Sequence, residues 1–137
     1  MTLVLDASVA LSWCFEDEIT PGSTEILRRV EASEALVPPV WALEVANVLR
    51  QAVRRHRVDR PTVTGFLEAL DALPLRVIEM GSARVFRHVM DLAWTHDLTT
   101  YDACYLDLAI RQRLPLATLD ARMRRAADAA GIDVLPA

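Results

Sequence analysis

The sequence predicts an α/β fold, a three-layer α/β/α sandwich built on a short, mostly parallel central sheet. Short apolar runs alternate with longer segments of helical period along the whole chain. The first run, Leu3-Val4-Leu5, is apolar at every position, as in a strand buried on both faces. The order strand, acid, helix then occurs twice, at Asp6 near the start and at Asp120 near the end.

The elements follow in order. After the Leu3-Val4-Leu5 strand and Asp6, a helix is expected from about Ala7 to Cys14, then an acidic turn at Glu16, Asp17 and Glu18. Pro21-Gly22-Ser23 punctuates before a helix through Ile26, Leu27 and Val30. Ala35 to Val37 reads as a second strand, stopped by Pro38-Pro39. From Val40 to about His56, Trp41, Val45, Val48, Leu49 and Ala52 form one apolar helical stripe. A helix after Pro61 carries Phe66, Leu67 and Leu70, and Leu75 to Ile78 resembles a strand. A helix from Ser82 to about His96 carries Val85, Val89, Leu92 and Ala93. Another runs from Asp102 to about Arg113, with Leu106, Ala109 and Ile110 as its buried side. Leu116 to Leu119 reads as a strand, Ala121 to Ala130 as a helix closed by Gly131 at C′, and Asp133 to Leu135 as a last strand. At 137 residues, 53% hydrophobic and 25% charged, with no linker or repeat, the chain is expected to form one domain over residues 1–137.

Composition excludes several chemistries. All 15 basic residues are Arg, against 19 acidic ones, for a formal net charge of −4. Without Lys, a Walker A phosphate loop and Schiff-base catalysis are impossible. Acceptor domains and phosphatases that pair a Lys with an Asp become poor candidates. Gly22, Gly65, Gly81 and Gly131 are too scattered for a dinucleotide fingerprint. Cys14 and Cys104 stand alone among apolar neighbours, which predicts buried structural thiols in a reducing compartment. The N-terminus has no basic, apolar leader pattern, and no apolar run approaches the roughly 18 residues of a membrane span. A cytoplasmic protein without membrane contact is expected.

Four carboxylates stand out. In open parallel sheets, ligands bind beyond the carboxyl ends of the strands, where strand order reverses. Asp6 and Asp120 occupy that end of predicted strands, although the same place suits a plain N-cap, which stabilises a helix by about 1 kcal/mol. Asp102 begins a helix after Thr99-Thr100, and either threonine is an alternative cap. Glu44 lies inside its helix, flanked by Val40, Trp41 and Val48. There its carboxylate either loses hydration and needs a partner or rims the stripe and points to water. Carboxylates converge only where a cation offsets their repulsion, and an oxygen set without a Cys or His cluster suits Mg²⁺ or Mn²⁺ better than zinc. Such a site acidifies bound water and stabilises the leaving oxygen of a phosphodiester.

Four segments then carry a resemblance. Leu3-Val4-Leu5-Asp6-Ala7-Ser8, the run from Pro39 to Leu49, Tyr101-Asp102-Ala103-Cys104-Tyr105-Leu106 and Ala117-Thr118-Leu119-Asp120 resemble, in order, the motif regions of PIN-domain nucleases, specifically the VapC toxins of toxin-antitoxin modules. The resemblance implies a Mg²⁺- or Mn²⁺-dependent endoribonuclease, with Asp6, Glu44, Asp102 and Asp120 as catalytic, metal-binding quartet. Ser8 and Thr118 match supporting polar positions, and Asn47, one helical turn after Glu44, is positioned to share its face. It further implies an RNA substrate, homodimerisation and a small cognate VapB-like antitoxin. The alternative is a catalytically silent PIN-like binding partner in a repressor complex. An acid-phosphatase-like hydrolase is more distant still.

Other charged residues carry two readings each. Arg50, Arg54, Arg55 and Arg57, with Arg60 and His56, cluster at and beyond one helix end, where they either complement the macrodipole or hold RNA phosphates. Bound cations and this cluster would supply the positive field that a net charge of −4 lacks. Asp107 lies about 140° round an ideal helix from Asp102 and reads as solvated or paired. Asp97 reads as a loop carboxylate, and His88 and His96 are too far apart on one helix to share a metal.

Overall fold

A computed structural model describes residues 2–137. Five strands, β1 (Leu3–Leu5), β2 (Ala35–Val37), β3 (Leu75–Val77), β4 (Leu116–Ala117) and β5 (Val134–Leu135), form one sheet in the order β3-β2-β1-β4-β5. All four pairings are parallel, with Leu3 opposite Ala35 and Val4 opposite Leu116. Successive side chains of β1 and β2 point to opposite faces, and all are buried, so helices cover both faces of the sheet centre. Each fully buried leucine there, such as Leu3, Leu5 or Leu36, contributes roughly 2 kcal/mol through burial. From β1 the chain first builds outward through β2 to β3, then returns to place β4 and β5 on the other side. The strand order therefore reverses between β1 and β4.

The helices are α1 (Ala7–Ser12), α2 (Pro21–Ala32), α3 (Val40–Arg54), α4 (Arg60–Asp71), α5 (Ser82–Arg84), α6 (Met90–His96), α7 (Thr100–Gln112) and α8 (Ala121–Ala129). Pro21 does not precede α2 but opens it, because its missing N–H is an orphan at that position anyway. The Thr20 and Ser23 side chains close a reciprocal capping box around it. The expected helix over residues 82–96 is interrupted by a π-helical segment, Val85–Val89, which rotates the faces before and after it relative to one another. Val89 and Ala93 are still buried, whereas Phe86 and Trp94 project to solvent at 71% and 78% exposure.

Other expectations shift at the margins. The α3 stripe holds at Trp41, Val45, Leu49 and Ala52, but Val48 lies on the flank and is exposed. On α7, Leu106 and Ala109 are buried as expected and Ile110 is not; Asp107 takes a place inside instead. Cys14 and Cys104 are free thiols, each only partly buried, because each sits at the rim of the core rather than within it. Gly131 adopts φ +76° after α8, the left-handed turn for which glycine suits C′. Among the described residues no helix is long and apolar enough to cross a membrane.

Candidate active site

The site lies at the carboxyl ends of β1 and β4, on either side of the strand-order reversal. Asp6 follows β1 and is almost fully buried. It stands in the N-cap position of α1, yet its side chain makes no cap hydrogen bond. Its Oδ2 instead accepts the Ser8 hydroxyl at 2.6 Å and the Thr118 hydroxyl at 2.8 Å. Thr118, fully buried just after β4, is 112 residues away in sequence, so this bond spans the reversal point. Burial raises the Asp6 pKa above the ordinary carboxylate value, and the two hydroxyls offset part of the rise.

Asp120 behaves differently. Its Oδ1 caps α8, accepting the Met123 N–H at 3.0 Å, while its own N–H donates to the Thr118 hydroxyl at 3.2 Å. The Leu119 N–H donates to the Ser8 hydroxyl at 3.0 Å. Ser8 and Thr118 thus tie the loop that carries Asp120 to the buried Asp6.

Asp102 lies in the first turn of α7, and Thr99, not Asp102 or Thr100, caps that helix by accepting the Asp102 N–H at 3.1 Å. Burial raises the Asp102 pKa, as do the charges of Asp6 and Asp120, while Arg122 opposes the rise. Glu44 projects from α3 and is half-buried, resolving the choice between a rim residue and a partnered one. Its Oε1 accepts the Tyr105 hydroxyl at 2.5 Å. Burial raises its pKa too, followed by repulsion from Asp6 and Asp102. The charges of Asp6, after β1, and of Asp120, in the β4–α8 loop, therefore reach acids on α3 and α7, although the four are scattered over more than 110 positions: Glu44 feels Asp6 and Asp102, and Asp102 feels Asp6 and Asp120.

The donor set tests the fit of a metal. It is all carboxylate oxygen, the preference of hard divalent cations such as Mg²⁺ and Mn²⁺. Mutual repulsion and burial both disfavour the ionised acids, and a dication would relieve both. Among the described residues no three His, Cys, Asp or Glu side chains are drawn into a finished metal cage. The residues fit such an ion in donor type, and Glu44 and Asp102 each feel the charge of neighbouring acids.

The remaining sequence candidates fall outside this cluster or at its edge. Asn47 is exposed on α3. Arg50 and Arg54 line a cavity of about 500 Å³ between α3 and α4, with Leu49, Val63 and Leu67. On an ideal helix they lie about 9 and 15 Å along the axis from Glu44. Arg55 is exposed at the end of α3. Arg57 is engaged elsewhere: it contacts Asp17 at 3.1 Å and Glu18 at 2.6 Å and stacks 3.8 Å over the Phe15 ring. Asp97 is exposed in a left-handed turn, 4.0 Å from Arg122. Asp107 is buried and paired: it accepts a bidentate bond from Arg84 at 2.8 Å, and the Arg111 guanidinium stands in ion-pair contact at 3.2 Å. Tyr105 falls inside the Tyr101–Leu106 segment but has no role assigned by the sequence alone. Its spacing of three from Asp102, on one helical face, was the available signal.

Comparison with known proteins agrees with this architecture. Residues 3–129 match the PIN domain. The chain is 29% identical over 121 residues to ribonuclease VapC12 of Mycobacterium tuberculosis, covering 88% of each sequence. It is 28% identical over 123 residues to ribonuclease VapC3 of Pyrobaculum aerophilum, covering 90% of this chain and 92% of that one. Among solved structures, PAE2754 from P. aerophilum superposes with a TM-score of 0.72 at 21% identity, over 92% of this chain and 84% of that one. FitAcB from Neisseria gonorrhoeae superposes with a TM-score of 0.55 at 18% identity, over 98% and 96%. With the match running through all four acid-bearing segments, the chain belongs to the PIN-domain family.

Proposed function

We propose that this chain is a VapC-like toxin, an endoribonuclease that hydrolyses RNA phosphodiester bonds with Mg²⁺ or Mn²⁺ held by Asp6, Glu44, Asp102 and Asp120. The supporting observation is the placement of a buried, hydroxyl-braced Asp6 at the strand-order reversal, within electrostatic reach of Glu44 and Asp102. The relatives named ribonuclease VapC12 and VapC3 support the same reading over nearly the whole chain. Bound there, the cation would polarise the scissile phosphate and acidify the attacking water.

The chain's own residues do the rest. Asp6 and Asp102, on rigid element ends, present the principal carboxylates, with Glu44 and Asp120 completing the set. Ser8 and Thr118 keep Asp6 an acceptor by directing two O–H donors at Oδ2. Asn47, exposed one turn from Glu44, offers an amide to the substrate at the mouth of the site. Arg50, Arg54 and Arg55 hold RNA phosphates farther out, whereas Arg57 is spent on Asp17 and Glu18. The reading takes residues 1–137 as one nuclease unit acting in the cytoplasm, without membrane contact. It also takes a VapB-like antitoxin as partner and a homodimer as the working form. The exposed Phe86 and Trp94 offer apolar surface for such a contact.

The test uses protein purified free of antitoxin and structured RNA, with Mg²⁺, Mn²⁺ or EDTA. Cleavage is expected with either metal, and is lost with EDTA and in Asp6→Asn. Metal-independent cleavage, or equal cleavage by Asp6→Asn, would sink the mechanism; RNA binding without any cut would favour the silent binding partner.

A further inference from the structure

The acids are not the whole of the site, because one of them is aimed by a residue that carries no charge. Tyr105 is fully buried in the third α7 position after Asp102, yet its hydroxyl reaches Glu44 on α3 at 2.5 Å. A phenol has one proton to donate, and here it goes to Glu44. The phenol thus joins the face of α3 to the first turns of α7, the two elements that carry Glu44 and Asp102. Without this bond, Glu44 sits on a half-exposed helical flank with several rotamers open to it.

We propose that Tyr105 is a positioning residue: its hydroxyl occupies Glu44 Oε1 and so holds the carboxylate with its other oxygen turned to the shared cation. One helix, α7, then supplies both a ligand and the brace for a second ligand, and the spacing between Asp102 and Glu44 is set by a rigid element rather than by a free side chain. The effect expected of removing such a brace is a loss of about 10–100-fold in metal affinity. This inference rests on the metal-dependent reading proposed above.

The experiment measures Mn²⁺ binding to RNA-free protein by calorimetry and by the electron paramagnetic resonance of free Mn²⁺. Wild type, Tyr105→Phe, Glu44→Ala and the double variant are compared, with thermal melts beside them. Tyr105→Phe keeps the ring and loses only the hydroxyl. Its Mn²⁺ affinity should fall about tenfold or more, and the Mg²⁺ midpoint for RNA cleavage should rise by a like factor, with the rate at saturating Mg²⁺ largely kept. In the Glu44→Ala background the same change should do nothing further to metal affinity. Equal Mn²⁺ affinity in wild type and Tyr105→Phe, or an equal loss in both backgrounds, overturns the role of Tyr105 alone. Wild type that binds no Mn²⁺ overturns the metal reading beneath it.

A label independent of any change at position 105 guards against a misfolded variant. The chain has two tyrosines, and Tyr101 is exposed. In 3-fluorotyrosine-labelled protein, assigned with Tyr101→Phe, the buried fluorine signal should shift during Mg²⁺ titration with the midpoint of metal binding. A buried signal that ignores bound metal overturns the proposal.

Discussion

Replacing Thr118 with valine tests the brace under Asp6 with little change of shape. Thr118 is fully buried and its hydroxyl serves two neighbours, donating to Asp6 Oδ2 at 2.8 Å and accepting the Asp120 N–H at 3.2 Å. A hydrogen bond to a charged group is worth about 1.5–3 kcal/mol. The amide lost by Asp120 adds less than about 1 kcal/mol, because that residue is exposed and water can replace the hydroxyl. The expected loss is about 2.5 kcal/mol at neutral pH, a fall of roughly 10 °C in Tm for a chain of 137 residues. Thermal melts of the metal-free protein at pH 7 and pH 4 give the answer. The loss should be clearly smaller at pH 4, where a larger share of Asp6 is protonated and the bond is no longer to a full charge. Thr118→Ser, which keeps the hydroxyl, should recover most of the neutral-pH loss. A fall under about 2 °C at pH 7, or one of equal size at pH 4, refutes the account of Thr118 as the support of an ionised Asp6.

Three further outcomes follow from the same geometry. Burial raises the Asp6 pKa, so the folded protein binds a proton that the unfolded chain has released, and this group's contribution to stability falls as pH climbs from the ordinary carboxylate value through the raised one. Metal-free Asp6→Asn should therefore gain stability relative to wild type as pH rises, with Mg²⁺ stabilising only the wild type; a pH-independent difference in denaturant melts counts against this. Asp107→Asn should cost about 3 kcal/mol, the low end of the range for a buried pair, because Arg84 is 30% exposed and can reach water while Arg111 keeps buried nitrogens with no other partner. Its folded fraction should still cut RNA at the wild-type rate, and a lost rate with an intact fold would overturn the reading of Asp107 as a structural, paired acid. Arg50→Ala and Arg54→Ala should each weaken RNA binding and lower its salt dependence by about one counterion, while Arg57→Ala should leave both unchanged. A salt titration of RNA binding that ranks Arg57 with the other two refutes the assignment of Arg57 to Asp17 and Glu18.

Much of the fold was legible because its signals are local. The all-apolar Leu3-Val4-Leu5 run and the Trp41 to Ala52 stripe carry their periods in neighbouring residues, and both are buried as those periods require. Where tertiary packing competes with the pattern, the reading slipped. Ile110 and Val48 lie on the flanks of buried stripes, where a small rotation of the helix decides exposure. The π segment at Val85–Val89 changes the face that a regular helix would bury, and nothing in its composition announces it. Pro21 reads from the sequence as punctuation before a helix, whereas the Thr20–Ser23 capping box makes it the first residue of α2.

For the site, the sequence by itself determined the ingredients: four acids in recognisable segments, no Lys, and no cysteine or histidine cluster to compete with them. It also marked Ser8 and Thr118 as their supports. Only the tertiary structure decided how each acid is used. Asp6 is braced rather than capping, Asp120 caps α8, Glu44 takes the Tyr105 hydroxyl, and Asp107 is consumed by Arg84 and Arg111. The physical reason is sequence separation. Thr118 meets Asp6 across 112 residues and Tyr105 meets Glu44 across 61, and both contacts depend on a strand order that carries β4 back beside β1 and on helices packed over that sheet. Local periodicity sets which face of an element is apolar, but it holds no information about which distant side chain will stand opposite.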